Sequence, residues 1–344
     1  MSDWSPKDRL LRVLQKKKID RPPVICTGGM MNAAVVGVME QTSHTLPAAH
    51  HDERLMAGLA ADVRRSTGFE NLGFPFCLTV EAEVLGSEID FGSIACEPKI
   101  AREGFSSVSR VAYRDIDGLK KSGRISAIVQ AGGRLARKEP DVPVIANITG
   151  PISTAASMVD PMTFLKELRK DQENAHRVID YVSDFLIAYA RFLIEGGATV
   201  IAIGDPTATG EILGPKMFEA YAVPYLNKVV DAIHEADRPV IVHICGDIRS
   251  VKHLVPQIRS DALSTDALVN LRMLKEEYPE LTTMGNLSTY LLQSGDLDAV
   301  ASQTTRLLRD GIDIIAPACG LSTSSPLENI RAMTCAVKES RRDD

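Results

Sequence analysis

Along most of the chain, short apolar, β-branched runs alternate with longer segments whose apolar residues recur every three or four positions. The runs are PVIC (23–26), NLGFPF (71–76), VIAN (144–147), VIAIGD (200–205), VIVHIC (240–245), ALSTD (262–266), TTMGN (282–286) and IDIIAP (312–317). Near-continuous apolar strands alternating with helices predict a parallel sheet covered on its outer face. Residues 174–195 place Val178, Val182, Phe185, Leu186, Tyr189 and Leu193 on one helical face, and Gly196-Gly197 stops the segment. A second helix is expected over 215–236, with Pro215 in its first turn. Ser5, Pro6 and Asp8 form a capping signal for an N-terminal helix to about Gln15, with Leu10, Leu11 and Leu14 on one face.

Eight strands favour closure into a (β/α)8 TIM barrel over an open sheet. Residues 77–114 break the pattern: LGSEIDFG and REGFSSVSRVAYR alternate as hairpin strands do, which predicts a hairpin insertion after strand two. No internal repeat or linker-like stretch divides the chain, so one domain over residues 1–344 is expected.

Composition narrows the function. With 44% hydrophobic and 24% charged residues and a formal net charge of -6, the chain lacks the positive surface that nucleic-acid or anionic-membrane binding needs. The run Lys16-Lys17-Lys18 falls at a predicted helix C-terminus, where cations suit the dipole. No secretory leader opens the sequence, and no apolar run reaches the roughly 18 residues of a spanning helix. A cytoplasmic location follows as an expectation, and the six cysteines should then be reduced.

A barrel of this kind carries its chemistry at the C-terminal ends of the strands. Those ends hold Cys26-Thr27-Gly28-Gly29, Asn147, Asp205, His243 and Cys245, Asp266, Asn286 and Cys319. Two apart on one strand, His243 and Cys245 point to the same side, and Cys319 arrives at the same mouth beyond strand eight. A lone His-x-Cys pair is more often core than ligand; the third thiol at the correct barrel end turns the reading towards a zinc site. One imidazole and two thiolates suit Zn2+ with a fourth position left for water or substrate. Because two thiolates cancel the charge of the ion, a further thiolate at that site stays nucleophilic.

Asp266 either completes the ligand set or caps the following helix, and Asp205 either orients a ligand or accepts backbone hydrogen bonds. Glu81 and Glu83 are an exposed pair by default, and an inward one would serve proton transfer. Thr27, Gly28 and Gly29 open a turn where backbone can approach a ligand. Cys26, Cys77, Cys96 and Cys335 are read as buried apolar groups, and His50 and His51 as solvent-facing.

His243-x-Cys245 with Cys319, together with RPPVICTGGMMN at strand one and PFCLTVEAEVLG after strand two, resembles corrinoid-dependent methyltransferases of the uroporphyrinogen decarboxylase superfamily, of the methylcobamide:coenzyme M type. The resemblance runs over nearly the whole chain, and the His-x-Cys…Cys set is its most specific part. It implies a barrel whose zinc, on His243, Cys245 and Cys319, activates a thiol to take a methyl group from a corrinoid on a partner protein. Asp266 falls near a glutamate ligand of some relatives but is one methylene shorter. Uroporphyrinogen decarboxylases themselves carry arginines at strand one and an aspartate after strand two, and neither has a match here. Asn147 and Asn286, with Thr27, Gly28 and Gly29, are the candidate substrate contacts. The alternatives are transfer from a methyl ether or methanol-type donor to the corrinoid and, behind it, a uroporphyrinogen decarboxylase or a non-catalytic tetrapyrrole-binding barrel.

Overall fold

The computed structural model describes residues 4–119 and 122–340. Its strands, in chain order, are β1 (Leu72–Phe74), β2 (Glu88–Asp90), β3 (Lys99–Arg102), β4 (Val144–Thr149), β5 (Val200–Gly204), β6 (Val240–Ile244), β7 (Ala262–Thr265) and β8 (Thr283–Met284). Six of them form one sheet in the order β1-β4-β5-β6-β7-β8, every neighbouring pair parallel. The chain at Val24 and at Ile314–Ile315 closes the barrel, through parallel bridges from Val24 to Ile315 and from Ile314 to Met284. On the other flank, the Glu70 amide donates to the Val24 carbonyl at 2.9 Å.

The runs at 23–26 and 312–317 thus lie where the barrel pattern requires, yet they pair through bridges and not as full strands. Pro22 and Pro23 lack the N–H groups a ladder needs, as does Pro317.

Alternation along each strand sorts the core into two sets. Val144, Ala146 and Ile148, Ile201 and Ile203, and Val240, Val242 and Ile244 pack outward under the helices. Ile145, Val200, Ala202, Ile241, Ala262, Met284, Ile314 and Ala316 fill the interior. The floor is closed by the N-terminal helix Pro6–Leu14, which adds Leu10, Val13 and Leu14 to that interior cluster. Ser5 caps this helix as expected: its Oγ accepts from the Asp8 amide at 3.0 Å and donates to the Asp8 carboxylate at 2.7 Å.

The helix expected over 215–236 is broken into Gly214–Met217, a π-helical turn at Phe218–Ala222, and Val223–His234. Pro224 has no amide hydrogen to continue the regular ladder, and the wider turn absorbs the interruption. The insertion also differs in detail. TVEAEVL forms a helix at Val80–Leu85, and the strand paired with β2 is β3, upstream of the REGFSSVSRVAYR run. That run begins at the end of β3, and Gly104 with Ser106-Ser107 then stops its alternation.

Candidate metal centre

At the upper end of β6, Val242 and Ile244 are held outward by the helical layer, so His243 and Cys245 face the interior. The His243 Nε2 lies 3.0 Å from the Cys245 Sγ, which lies 3.5 Å from the Cys319 Sγ. The three potential donor atoms fall within 4.8 Å of one another. His243 is buried and the two cysteines are half-buried, so the group looks out of the barrel mouth.

The imidazole orientation is set from behind. Its Nδ1 is 2.9 Å from the Ser264 Oγ on β7, the residue paired with His243 across the sheet. With Nδ1 engaged, Nε2 is left to face the sulfurs, the arrangement expected of a ligating histidine. Sequence reasoning did not single out Ser264. The signal was present: in ALSTD it stands two before Asp266 and so shares its face.

Beside each other, the two thiols part company. The hydrogen bond from Cys245, together with the nearby His243, pulls Cys319 down to about 4 against the opposing effect of burial. Cys245 is pushed up, first by its hydrogen bond to Cys319 and then by burial. One proton serves two sulfurs, and a cation would displace it. The donor set itself fits zinc: one oriented nitrogen and two soft sulfurs, a combination that leaves one tetrahedral position.

Asp266 does not join the donors. Its Oδ1 accepts from the Leu268 amide at 3.0 Å and closes the turn after β7. Asn286 is committed too: its Nδ2 donates to the Asp266 and Val269 carbonyls, each at 2.8 Å, and pins that same loop. Asp205, fully buried beyond β5, accepts from the Ile152 and Ser153 amides at 3.0 and 2.8 Å and from the Ser153 hydroxyl at 2.6 Å. It thereby caps the helix Pro151–Met158 from the neighbouring strand end. Burial pushes its carboxyl up to about 6, against the lowering effect of those hydrogen bonds.

Glu81 is buried, contrary to the default of an exposed pair, because TVEAEVL folds as a helix with one face inward. Its carboxylate receives the amide and the hydroxyl of Thr149, both at 2.8 Å, and burial raises its pKa. Glu83 pairs with Arg124 at 2.6 Å, and the other end of that guanidinium lies 2.8 Å from the Cys77 Sγ. Arg124 also covers the Phe91 ring at 5.0 Å. This buried arginine, from the start of the helix Gly123–Lys138, was missed in the sequence because nothing local marks it.

The turn after strand one depends on its glycines. A Cβ on Gly28 would lie 2.6 Å from the Phe74 amide nitrogen, and one on Gly29 would overlap the Asn147 side chain at 1.9 Å. The tight turn brings Met30 within 4.0 Å of the Cys319 sulfur and Met31 within 3.9 Å of the Ser264 hydroxyl. Thr27 is buried below it, and Asn147 is buried with an unpartnered Oδ1.

Three expectations are corrected. His50 is 1% exposed, packed towards the Phe91 ring, and burial holds it neutral by driving its pKa down to about 3. Cys96 is exposed at the turn of the inserted hairpin, and Cys335 on the outer face of the helix Leu327–Glu339. Cys26 and Cys77 are buried as expected.

With that geometry in place, the relatives of the chain can be compared. Methylcobamide:CoM methyltransferase MtbA of Methanosarcina acetivorans is 32% identical, over 98% of this chain and 99% of its own. Methylcobamide:CoM methyltransferase MtaA of Methanosarcina barkeri is 29% identical, with the same coverage. A solved methyltransferase structure from Methanosarcina mazei superposes with a TM-score of 0.91 at 28% identity, covering 98% of this chain and 99% of that one. Residues 5–340 match the family described as uroporphyrinogen decarboxylase (URO-D), and with nearly the whole chain inside that match, this protein belongs to the URO-D family.

Proposed function

We propose that this protein is a corrinoid-dependent methyltransferase that passes a methyl group from a methylated corrinoid, presented by a partner protein, to a small thiol of the coenzyme M type. The observation that carries the reading is the convergence of His243, Cys245 and Cys319 at the open end of the barrel. Full-length relatives with methylcobamide:CoM methyltransferase names support it. His243, Cys245 and Cys319 would hold zinc, which when bound supplies a position where a thiol loses its proton near neutral pH.

The chain's own residues do the rest. Ser264 holds the imidazole ring so that Nε2 faces the sulfurs. Met30 covers the Cys319 sulfur from the strand-one side and Met31 backs the Ser264 hydroxyl behind the imidazole, which keeps that flank dry and preserves thiolate nucleophilicity. In the transfer, the substrate sulfur forms the new S–C bond as the carbon–cobalt bond breaks, and the electron pair stays on the corrinoid. With the interior below filled and its floor closed, both partners reach the donors through the mouth, the small thiol seated beside them and the broad corrinoid at the rim. Thr27, Gly28, Gly29 and Asn147 would line the thiol's side, while Asp205, Asp266 and Asn286 hold the loops around it.

The test is methyl transfer from free methylcobalamin to a panel of thiols by the purified protein, with zinc content measured in the same samples. Thiol methylation that scales with bound zinc is expected. Zinc-loaded protein that methylates no thiol would overturn the proposal.

A further inference from the structure

The interior of the barrel is unevenly filled around His243. Along β5, Val200 and Ala202 belong to the interior cluster and Ile201 and Ile203 to the outer one, so Gly204 is the next inward position. It is in register with His243 on β6 and with Thr149 on β4. A Cβ built on Gly204 meets no heavy atom within 4 Å. This is unlike the crowded glycines at 28 and 29, and Gly204 is not among the glycines with positive φ. Backbone strain therefore does not demand glycine here.

The neighbouring side chains lean away from this gap on both sides. His243 directs Nδ1 towards Ser264 on β7, and Thr149 directs its hydroxyl to Glu81 on the helix Val80–Leu85. One layer lower, Asn147 is paired in register with Ala202 and keeps a buried Oδ1 with no partner. On the opposite flank of His243 the space is taken by Ser264 and Met31. The open approach to the imidazole and its sulfurs is thus the β4–β5 side, over Gly204.

We infer that Gly204 is a specificity-determining position, whose missing side chain leaves a notch beside His243 that holds the carbon chain of the thiol substrate. The inference rests on the function proposed above and adds where the acceptor lies. Sulfur reaches the donor cluster past His243, while the first carbons of the thiol pass over the Gly204 backbone between β4 and β6. An unbranched chain fits the width left by one absent residue side chain.

The experiment uses zinc-loaded wild-type protein and the variants Gly204→Ala and Gly204→Leu. Zinc content, calorimetric titration with 2-mercaptoethanesulfonate and with hydrosulfide, and KM and kcat with methylcobalamin are measured for each. Gly204→Leu should keep its zinc and its hydrosulfide titration, while its dissociation constant and KM for 2-mercaptoethanesulfonate rise by about 10-fold or more. Gly204→Ala should fold without strain and show a smaller rise of the same kind. It carries the test if the leucine variant does not fold. Unchanged mercaptoethanesulfonate binding in the folded variants overturns the notch while leaving the methyltransferase reading intact. A wild-type protein that binds and methylates no thiol removes both.

Discussion

Two polar corners sit side by side at the barrel mouth, on neighbouring strands, and they are built on opposite rules. On the β4–β5 side, Glu81 and Asp205 are fully buried carboxylates, and every oxygen receives a protein donor: two from Thr149 for Glu81, three from Ile152 and Ser153 for Asp205. On the β6 side, the His243 Nε2, Cys245 and Cys319 are turned on one another, over 3.0 and 3.5 Å, with the Met30 sulfur 4.0 Å from Cys319. A saturated group is structure, because a buried charge or dipole without partners costs more than it returns. Donors turned on each other in a half-open mouth are held for something from outside. Acidity and burial alone would have chosen the wrong corner.

The largest expected effect tests that division directly. Cys319→Ala should lose bound zinc and thiol methylation together, with activity down by more than about 1000-fold, while the fold and its melting temperature change little, since Cys319 is half-buried in a loop. Metal analysis and circular dichroism on the same sample check it. A Cys319→Ala protein that is metal-free and fully active would mean that the soft corner is only packing.

The saturated corner should instead answer to pH and stability. Asp205 has a folded pKa of about 6, above the unfolded value near 3.8. A raised carboxyl pKa means the native state binds the proton more tightly. Its contribution is therefore complete below about pH 4 and is lost as pH rises through about 6, a change of up to about 3 kcal/mol. Denaturant melts of wild type and Asp205→Asn between pH 4 and 7.5 should show a pH-dependent gap, with wild type losing stability relative to the variant as pH rises. A constant gap would show that the hydrogen bonds from Ile152 and Ser153 outweigh burial and keep the carboxylate ionised throughout.

From the β7 side of the soft corner, Ser264→Ala sharpens the comparison. It leaves all three donors in place and removes only the hydroxyl 2.9 Å behind His243. Loss of such a partner weakens metal affinity by about 10- to 100-fold, so competition with a chelator should strip this variant first. Equal resistance to the chelator would mean that the β-sheet alone orients the ring.

How much of this was legible beforehand follows from the range of the forces involved. Strand alternation is local, so the positions of all eight staves and the inward pairing of His243 with Cys245 could be read directly. Cys319 required only the rule that the ends of parallel strands meet at one mouth. The burial of His50 and Glu81 and the Arg124 contact to Cys77 could not be read, because each depends on how the insertion folds back, and its helix was unforeseen and its second strand set too late. Gly204 was invisible for a related reason. A missing side chain carries no chemical signature until its neighbours' orientations are known.

Asp266 sets the smallest effect and the finest distinction. It stands on the same strand face as Ser264, which made it a ligand candidate, but its Oδ1 is spent on the Leu268 amide and its loop is pinned by Asn286. It is exposed enough for water to satisfy its other oxygen, so it belongs with the saturated carboxylates by its contacts and with the His-Cys-Cys corner only by position. Asp266→Asn keeps an acceptor for the turn, and should alter stability by no more than about 0.5 kcal/mol and leave zinc stoichiometry at the wild-type value. A lower zinc content in that variant would show that the carboxylate swings onto the ion once bound, and the rule that engaged groups are structural would then fail one residue from the site it was used to define.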